Sequence, residues 1–263
     1  MSSSIKTILA IGATGSIGRP VVEVALEQGY KVRALVRNPA KANFPPQVEL
    51  VKADVTAPET LAEAVAGIDA VIFTLGSDGQ GKEGAESIDY GGVRNVLMAL
   101  GRNRVRIALM TAIGVTNRAG SYNQSTEAHD WKRRAERLVR ASGNDYTIVR
   151  PGWFDYNGSK EHKLVFLQGD KRQSGTPKDG AIARRQIAEV LVGSLNEEAA
   201  SRKSLELVAV DGPAQRDLTP LFVALEADVD NPRYDAIADR DNQPIEQEPQ
   251  RVREDLNAVL TFR

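Results

Sequence analysis

Along the first 150 positions, short runs of β-branched and aliphatic residues alternate with longer segments of helical period. Strands are expected at residues 5–11, 31–36, 48–51, 70–75, 105–111 and 146–149, and helices at 17–28, 59–66, 87–100 and 127–141. Several strand runs lack strict alternation, as strands covered on both faces do. The rhythm predicts a doubly wound parallel sheet with helices packed on each side. The first helix closes at Gly29 and the next strand starts at Lys31, which makes the opening a right-handed βαβ unit. The run at 48–51 is the least regular strand, because Lys52 and Asp54 interrupt it.

Beyond Pro151 the rhythm changes. An irregular stretch of glycines, prolines and charges extends to about Gly180, followed by an expected helix at 184–195 and a strand at 205–210. Residues 228–250 are polar and punctuated by proline, and an amphipathic ending follows at 252–260; together they read as a docked tail or a partner arm. The expectation is one α/β domain over 1–263, with a core at 1–150 and a small substrate-covering region and C-terminal tail at 151–263.

Charge narrows the partners. With 34 Lys and Arg against 35 Asp and Glu, the formal net charge of -1 gives no global attraction to nucleic acid or to an anionic membrane, so neither is expected. The absence of cysteine removes thiolate chemistry, iron–sulfur clusters and Cys-ligated zinc. The apolar stretch 8–11 is too short for a signal-peptide core, and no run approaches the roughly 18 apolar residues of a membrane span. A cytoplasmic protein, monomer or homodimer, acting on a small molecule is therefore expected. One basic concentration exists, Lys132, Arg133, Arg134, Arg137 and Arg140; with Glu127 and Glu136 interleaved it reads as a solvated helix face rather than a nucleic-acid surface. His129 and His162 are the only histidines, and no H-E-x-x-H accompanies them, so no metal is expected. His129 reads as a surface residue of a charged helix, with proton donation at a nearby site as the alternative.

Candidate chemistry begins at GATGSIG, directly after the first strand and at the mouth of the first helix. Gly12 permits the turn, Gly15 lets backbone approach a pyrophosphate, and Gly18 lets helix and strand pack closely. The whole segment Gly12, Ala13, Thr14, Gly15, Ser16, Ile17 and Gly18 becomes a candidate phosphate cradle, with the helix N-terminus behind it. The spacing is G-x-x-G-x-x-G rather than the general dinucleotide fingerprint. The second strand ends in Arg37 and Asn38 with no acid, where a carboxylate would accept from the adenosine ribose of NAD. Arg37, with Lys41 close behind, suits a 2′-phosphate and points to NADP(H) over NAD(H); a solvated loop arginine is the alternative. Arg19 either reaches the same phosphate or covers the helix surface.

GATGSIGRPVV, ALVRNPAK, KADVT, YGGVRNVL and ASGNDYTIVRPGWF together resemble the atypical short-chain dehydrogenase/reductases of the NmrA-like, NAD(P)H-binding kind, which include biliverdin reductase B-like enzymes. The resemblance spans residues 5–154 and is weaker from Asp155. It implies a Rossmann fold and the following placements. Asp54 and Val55 would meet the adenine, although Asp54 also reads as a helix-entry cap. Thr74, Leu75 and Gly76 would run along the ribose and diphosphate. Thr111 would place a hydroxyl near the nicotinamide, where it would bond a substrate carbonyl or simply a backbone partner. Lys132 aligns with the lysine that holds the nicotinamide ribose. Pro151, Gly152 and Trp153 would pass beside the nicotinamide amide, and Trp153 and Phe154 would form a flat apolar wall for substrate, with core packing as the competitor. The pattern departs at one place: Ala128 stands where the proton-donating tyrosine belongs. Tyr156 and Lys160 form the only Tyr-x-x-x-Lys, and Gly158 between them marks it as coincidence. The activity implied is NADPH-dependent reduction of a small, apolar carbonyl, quinone or conjugated compound. The rival is an NADP-sensing regulatory protein without turnover.

Overall fold

Strand β1 (Thr7–Ile11) lies between two parallel neighbours, β2 (Lys31–Val36) and β4 (Ala70–Phe73). The computed structural model describes residues 5–77 and 79–263. Its side chains alternate: Leu9 and Ile11 enter one apolar cluster, Ile8 and Ala10 the other, so both faces are covered. Outward from β2 lies the edge strand β3 (Glu49–Lys52), and from β4 the order continues through β5 (Arg106–Met110) and β6 (Tyr146–Pro151) to β10 (Lys203–Val210) in a 10-stranded sheet. The winding reverses between β1 and β4, which is the topological switch of a doubly wound sheet. Helices α1 (Gly18–Glu27) and α7 (Arg184–Gly193) cover one face; α2 (Leu61–Val65), α4 (Gly91–Leu100) and α6 (Ala128–Ala141) cover the other, and two short helices, α5 (Ser121–Thr126) and α8 (Thr219–Val223), precede α6 and follow β10.

Three differences from the expected elements have physical causes. The third helix begins before residue 87: α3 (Gly81–Gly84) runs through a π-helical turn at Ala85–Tyr90 into α4, and its glycines hide the start. Strand β3 tolerates Lys52 because it is an edge strand with exposed positions. The stretch after Pro151 contains β7 (Trp153–Phe154), β8 (Lys163–Leu167) and β9 (Ala181–Ile182), with β8 antiparallel to β10 and β7 parallel to β9. Such short strands, formed by long-range pairing, leave no period to read.

The C-terminal stretch is docked. Val252, Leu256 and Val259 of α9 (Gln250–Leu260) are buried in the same cluster as α4 and α6, and Asp255 accepts from Tyr90 Oη at 2.8 Å and pairs with Arg94 at 2.9 Å. Residues before α9 clamp α6. Asp235 pairs with Arg133 and Arg137, Glu248 with Arg134 and Arg137, and Asp228 with Arg140. This corrects the solvated-face expectation: Arg133 and Arg137 are 0% exposed, and Arg134 and Arg140 are buried. Residues 133, 137 and 140 share one helix face, and the carboxylates that cover it come from about 100 positions downstream, outside any local window. Glu136 is equally buried and takes both Nε and Nη2 of Arg150, at 2.9 and 2.6 Å, while Asp239 takes the other edge of that guanidinium at 2.7 Å.

Burial pushes the Asp235 carboxyl up, but the hydrogen bonds and charges of Arg137 and Arg133 outweigh it and hold the group below its usual range. Glu206, opposite Arg150 in the register of β10 and β6, behaves the other way. Burial pushes it up to about 7 despite Arg150 at 3.5 Å, and Asp170 and Asp239 add repulsion.

Asp235→Asn should destabilise the protein by roughly 3–5 kcal/mol, because it strips a carboxylate from two buried guanidiniums. Urea unfolding at pH 7 measures this, and Arg233→Ala, whose partner Asp241 is exposed, should barely move the midpoint. A carboxyl whose pKa is higher in the fold binds its proton more tightly when folded. The Glu206 contribution is therefore complete below pH 4.5 and is lost as pH rises through about 7. Glu206→Gln should remove this downward slope, worth about 3 kcal/mol across the window, from the stability–pH profile.

Candidate functional site

At the carboxyl ends of β1, β4, β5 and β6 a cleft of about 460 Å³ runs from the glycine loop, through Leu75 and Gly76, past Thr111 and Lys132, to Trp153. In open α/β sheets ligands bind outside the carboxyl ends of the strands, at this switch point. The glycine loop forms because no side chain fits it. Gly12 has φ +80°, and a Cβ on Gly18 would sit 2.0 Å from the Gly12 carbonyl oxygen. That carbonyl accepts from Gly15 N at 2.9 Å, and Thr74 closes the loop from β4 by donating its hydroxyl to the Ile11 carbonyl at 2.9 Å. Thr14, Gly15 and Ser16 are exposed, Ala13 and Ile17 are buried, and no side chain caps the N-terminus of α1. A backbone cradle that a Cβ would fill, in front of uncapped helix N–H groups, fits a dinucleotide pyrophosphate.

Other expected site residues lie around this cradle. Arg37 is exposed, and no ion pair engages it among the described residues. Arg19 is otherwise engaged: it donates to the Asn43 carbonyl at 3.2 Å and stacks over Phe44. Lys41 is exposed in the turn that follows. The Asp54 side chain accepts from Thr56 N and Oγ1 at 2.9 and 2.8 Å, which closes a local turn and does not cap the helix that follows, whose entry carries no side-chain cap; Asn95 of α4 holds the Val55 carbonyl at 2.8 Å.

The other end of the cleft is built by three supports. Asp170, fully buried, accepts from Gly114 N at 2.6 Å and Thr116 N at 2.7 Å, fixing the loop after β5. Asn123 caps α6 by accepting from His129 N and Asp130 N at 3.0 and 3.1 Å. After β6 the chain bends at Gly152, where a Cβ would lie 2.4 Å from the Gly180 carbonyl oxygen; the close approach lets β7 leave β6 and pair with β9.

Several side chains differ from expectation here. Thr111 donates its hydroxyl to Glu136 Oε1 at 2.7 Å, so the proton meant for a substrate carbonyl is committed to a buried carboxylate. Trp153 and Phe154 both border the cleft, but neighbours on a strand face opposite ways. Trp153, 37% exposed, stands edge-on to Tyr156 at 6.0 Å, whereas Phe154 packs on the core beneath Arg184, so they do not form one flat wall. His129 is half-buried in the cleft rather than on the surface. Burial pushes its imidazole below the usual value, and the Lys132 cation adds to this, although Asp170 and the Asn117 backbone pull the other way. A neutral imidazole is a poor acid at pH 7. Ala128 is buried and carries no hydroxyl, and Tyr156 and Lys160 sit in an irregular segment rather than on a helix.

Lys132 lines the cleft and is 14% exposed, with Nζ 2.8 Å from Asp89 Oδ1; Asp89 Oδ2 accepts from Ser77 Oγ at 2.7 Å. Neither Asp89 nor Ser77 was expected from the sequence. The signal was YGGVRNVL itself, since Asp89 immediately precedes it, but the π-turn that aims the side chain is not readable locally.

Residues 12–198 match the model of a family described as NAD(P)H-binding. The chain is 31% identical over 243 residues to an uncharacterised chloroplastic protein of Arabidopsis thaliana, covering 84% of this chain and 83% of that one. It is similar in fold to a candidate NAD-dependent epimerase/dehydratase from Bacillus halodurans, with TM-score 0.68, 21% identity, and coverage of 84% and 100% of the two chains. It is likewise similar to an anaerobilin reductase of Escherichia coli O157:H7, with TM-score 0.62, 22% identity, and coverage of 80% and 100%. No helix among the described residues is long and apolar enough to cross a membrane.

Gly18→Ala should push the Gly12 carbonyl out of place and weaken dinucleotide binding by at least about tenfold, with the fold retained. Calorimetric titration with NADPH, beside circular dichroism, measures both; unchanged affinity would contradict the cradle.

Proposed function

Because this chain belongs to the NAD(P)H-binding family, we propose that it is an NADP(H)-dependent reductase of a small, largely apolar carbonyl, quinone or conjugated compound. The observation that carries this reading is the continuity of the cleft, from exposed backbone at Gly15 and Ser16 to the apolar edge at Trp153, with one lysine between them. The bound dinucleotide supplies the hydride. The protein binds, orients and excludes water. The glycine loop and the N-terminus of α1 take the pyrophosphate, with Leu75 and Gly76 alongside. Arg37, exposed at the end of β2, is free to pair with a 2′-phosphate, and a charge-assisted bond of roughly 1.5–3 kcal/mol favours NADP(H) over NAD(H) by about 10 to 100-fold. Lys132 holds the nicotinamide-side ribose, and its ammonium and water are the proton sources at hand. Trp153 offers the substrate an apolar face. The protein acts in a cytosolic setting on a freely diffusing substrate.

A second reading is favoured by Ala128 and by the committed Thr111 hydroxyl: a sensor that binds NADP(H) without turnover. One sample separates them. Titration with NADPH and NADH, followed by absorbance at 340 nm over a panel of quinones, aldehydes and enones, should give tight NADPH binding and oxidation by at least one panel member. Tight binding without oxidation would favour the sensor. Arg37→Asp should weaken NADPH binding by about 10 to 100-fold and leave NADH nearly unchanged; equal losses would remove the phosphate assignment.

A further inference from the structure

Asp89 is an expensive residue to bury where it sits. Its side chain is 2% exposed, inside the π-helical turn between α3 and α4, and among the described residues its oxygens meet only the Ser77 hydroxyl and the Lys132 ammonium. Packing alone would favour an apolar or amide side chain, since a buried carboxylate is tolerated only when paired. A π-turn inserts an extra residue into a helix and redirects the side chains it carries, and such turns concentrate at functional sites. Here the redirected carboxylate meets the one lysine of the cleft. The contact is a close ion pair at 2.8 Å that engages at most one of the three ammonium donors and leaves the others for a ligand. Ser77, itself buried just after the β4 end that borders the cleft, fixes the second oxygen and stops the carboxylate rotating away.

We propose that Asp89, locked by Ser77, is a positioning residue that holds the Lys132 ammonium at the nicotinamide-side ribose. The inference rests on the dinucleotide-binding reading above. It predicts that Asp89 acts on one half of the dinucleotide only, and only through Lys132.

The test is a set of calorimetric titrations of the full chain with NADPH and with adenosine 2′,5′-bisphosphate, which lacks the nicotinamide and its ribose. Asp89→Asn should weaken NADPH by about tenfold while leaving the bisphosphate unchanged. In a Lys132→Met background the same substitution should change NADPH affinity less than about twofold, since the pair acts as a unit. Ser77→Ala, a milder change that covers the case of an Asp89 variant that does not fold, should weaken NADPH by about threefold and again spare the bisphosphate. Equal losses for both ligands, or losses that simply add to that of Lys132→Met, would show that Asp89 only supports the fold and would overturn the inference alone. Wild-type protein that binds neither ligand would overturn the dinucleotide reading and the inference with it.

Discussion

The guanidinium of Arg150 is the constraint on which much of the structure turns. It lies fully buried on β6, with Glu136 of α6 along one edge and Asp239 of the C-terminal segment along the other, and Glu206 of β10 within 3.5 Å. Removing Glu136 or Asp239 would leave the guanidinium short of a counter-charge in a low-dielectric interior. Sheet, helix and tail are therefore interdependent at one point. The same logic extends along α6, whose buried arginines are matched by Asp228, Asp235 and Glu248.

This network reaches the cleft. Glu136, held by Arg150 and Arg140, accepts the Thr111 hydroxyl at the end of β5. The C-terminal segment thus supports the cleft from behind without entering it. Lys132 and His129 stand on the first turns of the helix that the segment grips, so their positions depend on that grip. Buried ion pairs of this kind add little net stability over apolar packing, and setting the register of α6 against β6 is the role they best fit here.

The two ends of the cleft are built differently. The glycine loop works by absence of side chains and exposes backbone N–H groups to an anion. The far end works by supports: Asp170 under the β5 loop, Asn123 capping α6, and Asp89 beside Lys132. A backbone loop with a close-packed glycine turn, a lysine held by an ion pair and an exposed tryptophan along one cleft suit a site that positions reactants.

The strand–helix rhythm, the glycine loop and its place before α1, and the absence of an acid after β2 were legible in the sequence, because each depends on neighbours within one turn or one strand. Strand β8, the π-turn carrying Asp89 and the meeting of α6 with the tail were not, since each depends on residues distant along the chain. The clearest case is α6, where Arg133, Arg134, Arg137 and Arg140 have the spacing of a solvated basic face. Only the tertiary structure decided that they are buried. The carboxylates that make burial possible lie about 90 to 115 positions later, and the period of a helix tells which side chains share a face, not what covers it.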